Sequence, residues 1–371
     1  MNAVGIIFAD SYSRDERNEL TRTRSGASLP VGCRFRAIDF MLSGMVNAGI
    51  RTVGILTKFN YGSLVDHLDG GKNWDLDRKR GGLTMLTPYS RGATAVPNVT
   101  AGKLDALRSI DGYLADAQGE YVILAQGNVV ANLDFSDILL HHTKSEADIT
   151  VVTATIENPG DKCMVIQTAE DNTIADVSFT SQSGKYEASL NCYCMRKDFL
   201  MNFLEKANLY DWHDLSRDLI LRHLDSLRIV CYRHNGYTAM LNTIAQYYAC
   251  NMDMLNKDVR EDLFNSARPI FTHIHDTVPT IYADNSSVSG TLLADGCAID
   301  GSVKNSALFR NVTVGDGATL ENCVIMQGTK IGKGAVLKNV ICDKHCVIAD
   351  GAQLIGSPAY PYVLRKGARA E

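Results

Sequence analysis

The sequence has no run of 18 apolar residues, no CxxC pair and no surplus of positive charge. Each absence narrows the reading. The opening apolar stretch, Val4 to Ala9, is too short for a secretory h-region or a membrane span, and Asp10 closes it. A cytoplasmic protein that does not engage a membrane is therefore expected. Lysine and arginine number 37 against 42 aspartates and glutamates, a net charge of −5, which gives no support for a nucleic-acid partner. The ten cysteines are scattered. Cys192 and Cys194 lie in a strand-like run with side chains pointing the same way. Buried reduced thiols are the expectation there, ahead of a metal or redox role. Glycine is also missing locally, with none between Gly5 and Gly26.

What is present is a chain of 371 residues, more than one core usually serves, so two domains are expected. Apolar strand-like runs alternate with helix-like runs through the first half. Val4–Ala9, Thr52–Thr57, Tyr121–Ala125 and Ile149–Thr155 read as strands. Arg36–Asn47, with Ile38, Met41, Leu42 and Met45 on one face, reads as a helix. Gly62–Leu68, Gly102–Ala115 and Phe135–Lys144 also read as helices. This alternation predicts a mixed or parallel sheet with helices on both faces. Residues 163–195 read as strands with a turn, and 214–224 and 239–255 as helices. The α/β domain is placed at 1–255, with a connector at 256–282 broken by Pro269 and Pro279.

Residues 283–371 carry a repeat. Val314-Gly-Asp-Gly-Ala-Thr-Leu320 is echoed by Ile331-Gly-Lys-Gly-Ala-Val-Leu337 and by Ile348-Ala-Asp-Gly-Ala-Gln-Leu354, each 17 residues on. Asn305, Asn322 and Asn339 keep the same step. Aliphatic residues recur about every six, with glycine or asparagine at the bends. Three short strands per coil, stacked coil on coil, is the hexapeptide pattern of a left-handed parallel β-helix. Glycine and asparagine suit corners that need left-handed backbone angles. A lone histidine, His345, is expected at a solvated coil corner rather than as an acyltransferase base.

Several long stretches resemble the bacterial ADP-glucose pyrophosphorylase (glucose-1-phosphate adenylyltransferase) family. Val31 to Phe40, followed by Leu42-Ser43 and Asn47 to Ile50, is similar to its FGGKYRIIDFxLSNxxNSGI segment. Trp74 to Arg78 and Gly81 to Tyr89 are similar to WDLDRxxGGVxxLPPY. Ala245 to Leu255 resembles the helix after its DVGT motif. The likeness spans nearly the whole chain and is strongest to the divergent GlgD-type regulatory subunits. It implies a Rossmann-like nucleotidyltransferase domain with a mixed, mostly parallel sheet, followed by the β-helix.

The family reaction joins glucose 1-phosphate to ATP, giving ADP-glucose and pyrophosphate. It needs a phosphate cradle, cations against the developing charge, and Mg2+ on carboxylates. The glycine-rich GGxGTRLxxLT loop is replaced by Ala9 to Leu20, with Asp10 and Ser11 where glycines are expected. Arg14 and Arg17 are weak substitutes for its arginine. The KPAV lysine aligns with Gly26. The GDH aspartate aligns with Asn128, and the DVGT aspartate with Met240. The EKP sugar motif is replaced by Phe179-Thr180-Ser181 and the SMG turn by Ser189-Leu190-Asn191, so sugar recognition is eroded too. An amide offers one neutral oxygen and a thioether is a poor ligand for Mg2+. No catalytic residue is therefore expected, and Gly26, Asn128 and Met240 are degenerate positions. Asp105 and Asp134 match other family carboxylates and would be required if the chain were nonetheless active.

The resemblance also implies an anionic small-molecule effector held by Arg24, Arg34 and Arg36, although Pro30 stands where relatives are often basic. Arg36 has an alternative role, pairing with Asp39 or the sheet. Trp74 reads as the anchor of a packed loop. No cofactor is expected on this chain, with Mg2+ belonging to a catalytic partner. The implied function is a non-catalytic regulatory subunit that binds and activates that partner in glycogen synthesis. A heterotetramer is expected, with a homo-oligomer when the chain is alone. A weakly active adenylyltransferase and a stand-alone phosphometabolite-binding protein stay open as alternatives.

Overall fold

A computed structural model describes residues 2–10, 19–87, 102–160 and 162–371. Its N-terminal part is built on strands β1 (Ala3–Phe8), β2 (Thr52–Leu56), β3 (Gly82–Leu86), β4 (Tyr121–Gln126), β5 (Ile149–Glu157), β6 (Cys163–Thr168), β7 (Ile174–Thr180), β8 (Lys185–Arg196) and β9 (Ile229–His234). They form one mixed sheet in the order β7-β6-β8-β4-β1-β2-β3, with β5 paired to β8 and β9. β1 runs parallel to both β2 and β4. All six residues of β1 are buried. Ile7 enters the core on one side of the sheet, while Val4, Ile6 and Phe8 enter the core on the other. A strand covered on both faces is continuously apolar, which is why this run shows no alternation.

The helix Ala37–Asn47 buries Ile38, Met41, Leu42 and Met45. Three expected helices differ, and 214–224 is one of them, a π-type turn over Leu215–Ile220 followed by a 3-10 turn over Leu221–His223. Gly102–Ala115 is broken into Lys103–Arg108 and Asp111–Asp116. At the break the Ser109 hydroxyl donates to the Ala106 carbonyl (2.7 Å), a local bond that competes with helix continuation. The segment 239–255 begins as a strand, Ala239–Met240, paired antiparallel with Val129–Val130. Its helix starts only at Ile244, where Thr243 and Gln246 form a reciprocal cap.

The first β-helix strand is Ile281–Tyr282, and a short helix, Lys257–Leu263, lies between it and the sheet domain. Three faces of parallel strands follow, of six, five and five strands. Val303 pairs with Leu320, Leu320 with Leu337 and Leu337 with Leu354, so like stacks on like at each coil. Asn305, Asn322 and Asn339 turn corners at φ 46°, 53° and 51°, and His345 turns one at φ 60°. Asparagine and glycine tolerate this left-handed region best.

The two parts share one core. Ala307, Phe309, Val324, Met326 and Ile341 of the β-helix pack with Cys33, Tyr247 and Met254. Tyr247 donates to the Pro30 carbonyl and Tyr248 to the Asn322 carbonyl, each at 2.7 Å. All ten cysteines are free thiols and buried. Among the described residues no helix is long and apolar enough to cross a membrane.

Candidate functional site

β1 and β4 end side by side, with Phe8 paired to Gln126. The carboxyl ends of such strands are where open α/β sheets bind ligands. Asp10 does not stand free there. Its Oδ2 accepts from the Thr57 hydroxyl (2.9 Å) and from the Lys58 and Phe59 N–H groups (2.6 and 3.3 Å). Burial pushes its pKa up, and those bonds oppose the rise. The carboxylate thus holds the turn after β2. Positions 11–18, including Ser11, Arg14 and Arg17, lie outside the described residues.

Gly26 opens a single tight turn, Gly26–Ser28. A Cβ placed on Gly26 would lie 3.5 Å from the Asn128 Cβ, so two of the degenerate positions face each other. Gly127 is fixed by packing, since a Cβ there would meet Ala27 at 2.9 Å. The Asn128 Nδ2 donates to the Leu241 carbonyl (3.2 Å) and to Asn242 Oδ1 (2.9 Å). Its Oδ1 is buried without a hydrogen-bond partner among the described residues. Met240 is 4% exposed and lies in the core, on the strand beside Asn128.

The fold therefore brings the three degenerate positions to one place, but the donors do not fit a divalent cation. Asn128 offers one carbonyl oxygen, and Met240 offers a thioether already packed in the core. Mg2+ requires near-octahedral hard oxygen, usually anionic. Among the described residues no group of three or more His, Cys, Asp or Glu side chains is placed to hold a metal.

The carboxylates that an active site would have to recruit are engaged elsewhere. Asp105 accepts from the Gly102 N–H (3.1 Å), lies 2.8 Å from His213 Nδ1, and pairs with Arg108. Asp134 caps the helix Phe135–Lys144 through the Ser136 and Asp137 N–H groups, and pairs with Arg268 at 3.3 Å. At the sugar-motif positions, Asn191 sits in a bulge of β8 at φ 52°. It accepts from Lys103 Nζ at 3.0 Å. Phe179 carries the Arg217 guanidinium at 4.8 Å from its ring. Trp74 is fully buried, and its indole N–H donates to the Ser43 hydroxyl (3.2 Å).

A second cleft opens in the seam between the sheet domain and the β-helix. Arg34 and Arg36 line it, with His67, His275, Arg310, Gln327 and Lys344. Pro30 is also in its wall, and no aspartate or glutamate is. The backbone N–H of Arg36 donates to Asp39 (2.9 Å), and its guanidinium donates to the Ser63 hydroxyl (2.9 Å). Burial lowers the Arg36 pKa to about 10 and the Lys344 pKa to about 8. Arg310 is 9% exposed, and its buried Nε has no hydrogen-bond partner among the described residues. Concentrated, partly desolvated positive charge of this kind is stabilised by an anion.

Arg24 is placed differently from the expectation that grouped it with Arg34 and Arg36. It is 3% exposed, and one guanidinium nitrogen bonds both oxygens of Asp343 at 2.7 and 2.8 Å. Its charge is already matched, so it is not a free anion ligand. Asp343 precedes the cleft-lining Lys344, and the pair with Arg24 neutralises its carboxylate.

The motif comparison did not find Arg310, Gln327 or Lys344. They recur at the repeat's own step of 17 residues, so they occupy one position on three successive coils. The stack is direct, with the Gly328 N–H donating to the Arg310 carbonyl and the His345 N–H to the Gln327 carbonyl. That phase of the repeat was the available signal.

A nucleotidyl transferase family model matches residues 18–175, and a GlmU-like C-terminal hexapeptide model matches residues 277–359. The chain is 32% identical over 369 residues to the glycogen biosynthesis protein GlgD of Bacillus subtilis (strain 168), covering 98% of this chain and 96% of that protein. It is 34% identical over 370 residues to GlgD of Geobacillus stearothermophilus, with 98% and 96% covered. It is 30% identical over 308 residues to a glucose-1-phosphate adenylyltransferase of Clostridium novyi (strain NT), covering 81% of this chain and 80% of that one.

Proposed function

This chain belongs to the family of glucose-1-phosphate adenylyltransferases and GlgD glycogen biosynthesis proteins, and from that premise we propose that it is a non-catalytic regulatory subunit. A role in glycogen synthesis is common to that kinship. The finer reading has the chain bind a catalytic homologue that makes ADP-glucose and pyrophosphate, and raise its activity. One observation carries it: both metal-aspartate positions are occupied by side chains that cannot serve. The Asn128 amide is turned into bonds with Leu241 and Asn242, and Met240 is core. Mg2+ is then held by the catalytic subunit. The engagement of Asp105 and Asp134 in caps and ion pairs weighs against a weakly active enzyme.

The seam cleft supports the regulatory half of the proposal. Arg34, Arg36, Arg310 and Lys344 converge there from both parts of the chain, which suits an anionic, phosphate-bearing effector. A ligand in the seam contacts both parts at once and so biases their relative arrangement. The β-helix is the expected contact in a heterotetramer, and in a homo-oligomer when the chain is alone. The test is pyrophosphate release from ATP, glucose 1-phosphate and Mg2+, measured for this chain alone, a catalytic homologue alone, and the mixture. Turnover by this chain alone, or a mixture no faster than the homologue, defeats the proposal. Thermal shift with phosphorylated metabolites, with and without the homologue, separates it from a stand-alone binding protein.

A further inference from the structure

Three histidines meet at the edge of the cationic cleft, and neither the family motifs nor the proposed subunit role uses them. His67 and His275 line the cleft. The His273 ring lies between, 6.0 Å from the His67 centroid and 4.6 Å from that of His275. Two of the three are committed. His67 is buried, with Nε2 at 2.6 Å from Asp39 Oδ1. Asn73 Nδ2 lies 3.3 Å from His273 Nδ1. His275 makes no hydrogen bond among the described residues, so both of its ring nitrogens are free.

The charges around His275 come from every side of the seam. The connector brings His273 and Asp276. The sheet domain brings Arg34, Arg36 and His67, with Asp39 behind His67. The β-helix brings Arg310 and Lys344. The charges that act on it most are cationic, so a proton on His275 is disfavoured while the cleft is empty. A dianion reverses that balance.

We infer that binding of a dianion in this cleft is coupled to uptake of a proton by His275, so that the site senses pH together with its ligand. The inference rests on the proposed reading of the cleft as an anion site. Desolvation, together with Arg310, His273, His67 and Arg36, pushes the empty-site His275 down to about 4. An anion that restores it to an ordinary histidine value of about 6.5 tightens its own binding roughly eightfold between about pH 7 and pH 5.5. The sign follows from linkage: the bound state holds more protons, so affinity rises as pH falls through that window.

Sulfate is the probe, because it stays a dianion throughout. Titration calorimetry at about pH 6 in two buffers of different ionisation enthalpy reads proton uptake directly. The full-length protein is expected to take up a large fraction of a proton per sulfate. His275→Asn is expected to lose both the uptake and the pH slope, whatever sulfate affinity it retains at about pH 7. Sulfate binding with no buffer-dependent heat, or an uptake that survives in His275→Asn, overturns the inference and leaves the anion site standing. Absence of sulfate binding, or binding unchanged in the exposed-residue variant Arg34→Ala, removes the anion site itself and the inference with it.

Discussion

An amide and a carboxylate differ by one atom at position 128, yet they ask for opposite partners. Asn128 Nδ2 donates to the Leu241 carbonyl and to Asn242 Oδ1, both acceptors. A carboxylate there would face two oxygens and would have to be buried against them. Asn128→Asp is therefore expected to lower stability by about 1–3 kcal/mol, the usual cost of an unsatisfied buried polar group, and to give no pyrophosphate release. Urea midpoints and the release assay check this, and turnover gained by the single change would contradict the non-catalytic reading. That Asn128 and Gly26 are out of pattern was legible from the motifs alone. That a Cβ added to Gly26 would come within 3.5 Å of the Asn128 Cβ was not, because the contact joins residues about 100 apart in sequence. Asp10 is likewise legible as out of pattern, but its role is not: the turn after β2 supplies its N–H donors, and no local pattern announces such a long-range cap.

Among the elements, the β-helix was the most legible, because its period is imposed by stacking and repeats in the residues themselves. Coil on coil, Val303, Leu320, Leu337 and Leu354 form one aliphatic row, and Asn305, Asn322 and Asn339 one corner. The same step locates Arg310, Gln327 and Lys344, a functional row visible only once the repeat is read for polar as well as apolar residues. Corner chemistry predicts an ordering. Asn322, at φ 53°, tolerates replacement by glycine with little loss. Asn322→Val places a β-branched side chain in the left-handed region and is expected to cost about 1–3 kcal/mol. Denaturant midpoints that rank valine equal to glycine would show that the corner is not set by backbone angle. The strand Ala239–Met240 was the least legible. Its apolar and aromatic spacing continues smoothly into the helix Ile244–Asp253, and only pairing with Val129–Val130 draws the first residues out of it. Helical periodicity has no term for that partner.

For the whole molecule, the decisive contact is the one between the two parts, and the buried pair Arg24–Asp343 is its centre. The partners are 319 residues apart and both almost fully buried, which no sequence pattern could disclose. Removing one partner leaves a charge without either water or counter-charge. Arg24→Met or Asp343→Leu alone is expected to destabilise by about 3–5 kcal/mol, while the double variant should recover most of that loss. The two single variants should also differ at the neighbouring cleft. Without Arg24, the Asp343 carboxylate stands uncompensated beside Lys344, so sulfate binding should weaken by more than the lost stability explains. Without Asp343, the cleft gains net positive charge, so sulfate should bind at least as tightly as in the original chain. Calorimetric titration of both folded variants, alongside their thermal midpoints, tests the pair. Equal weakening in both would mean that Arg24 acts on the cleft only by holding the two parts together, and opposite effects would mean that it acts through charge.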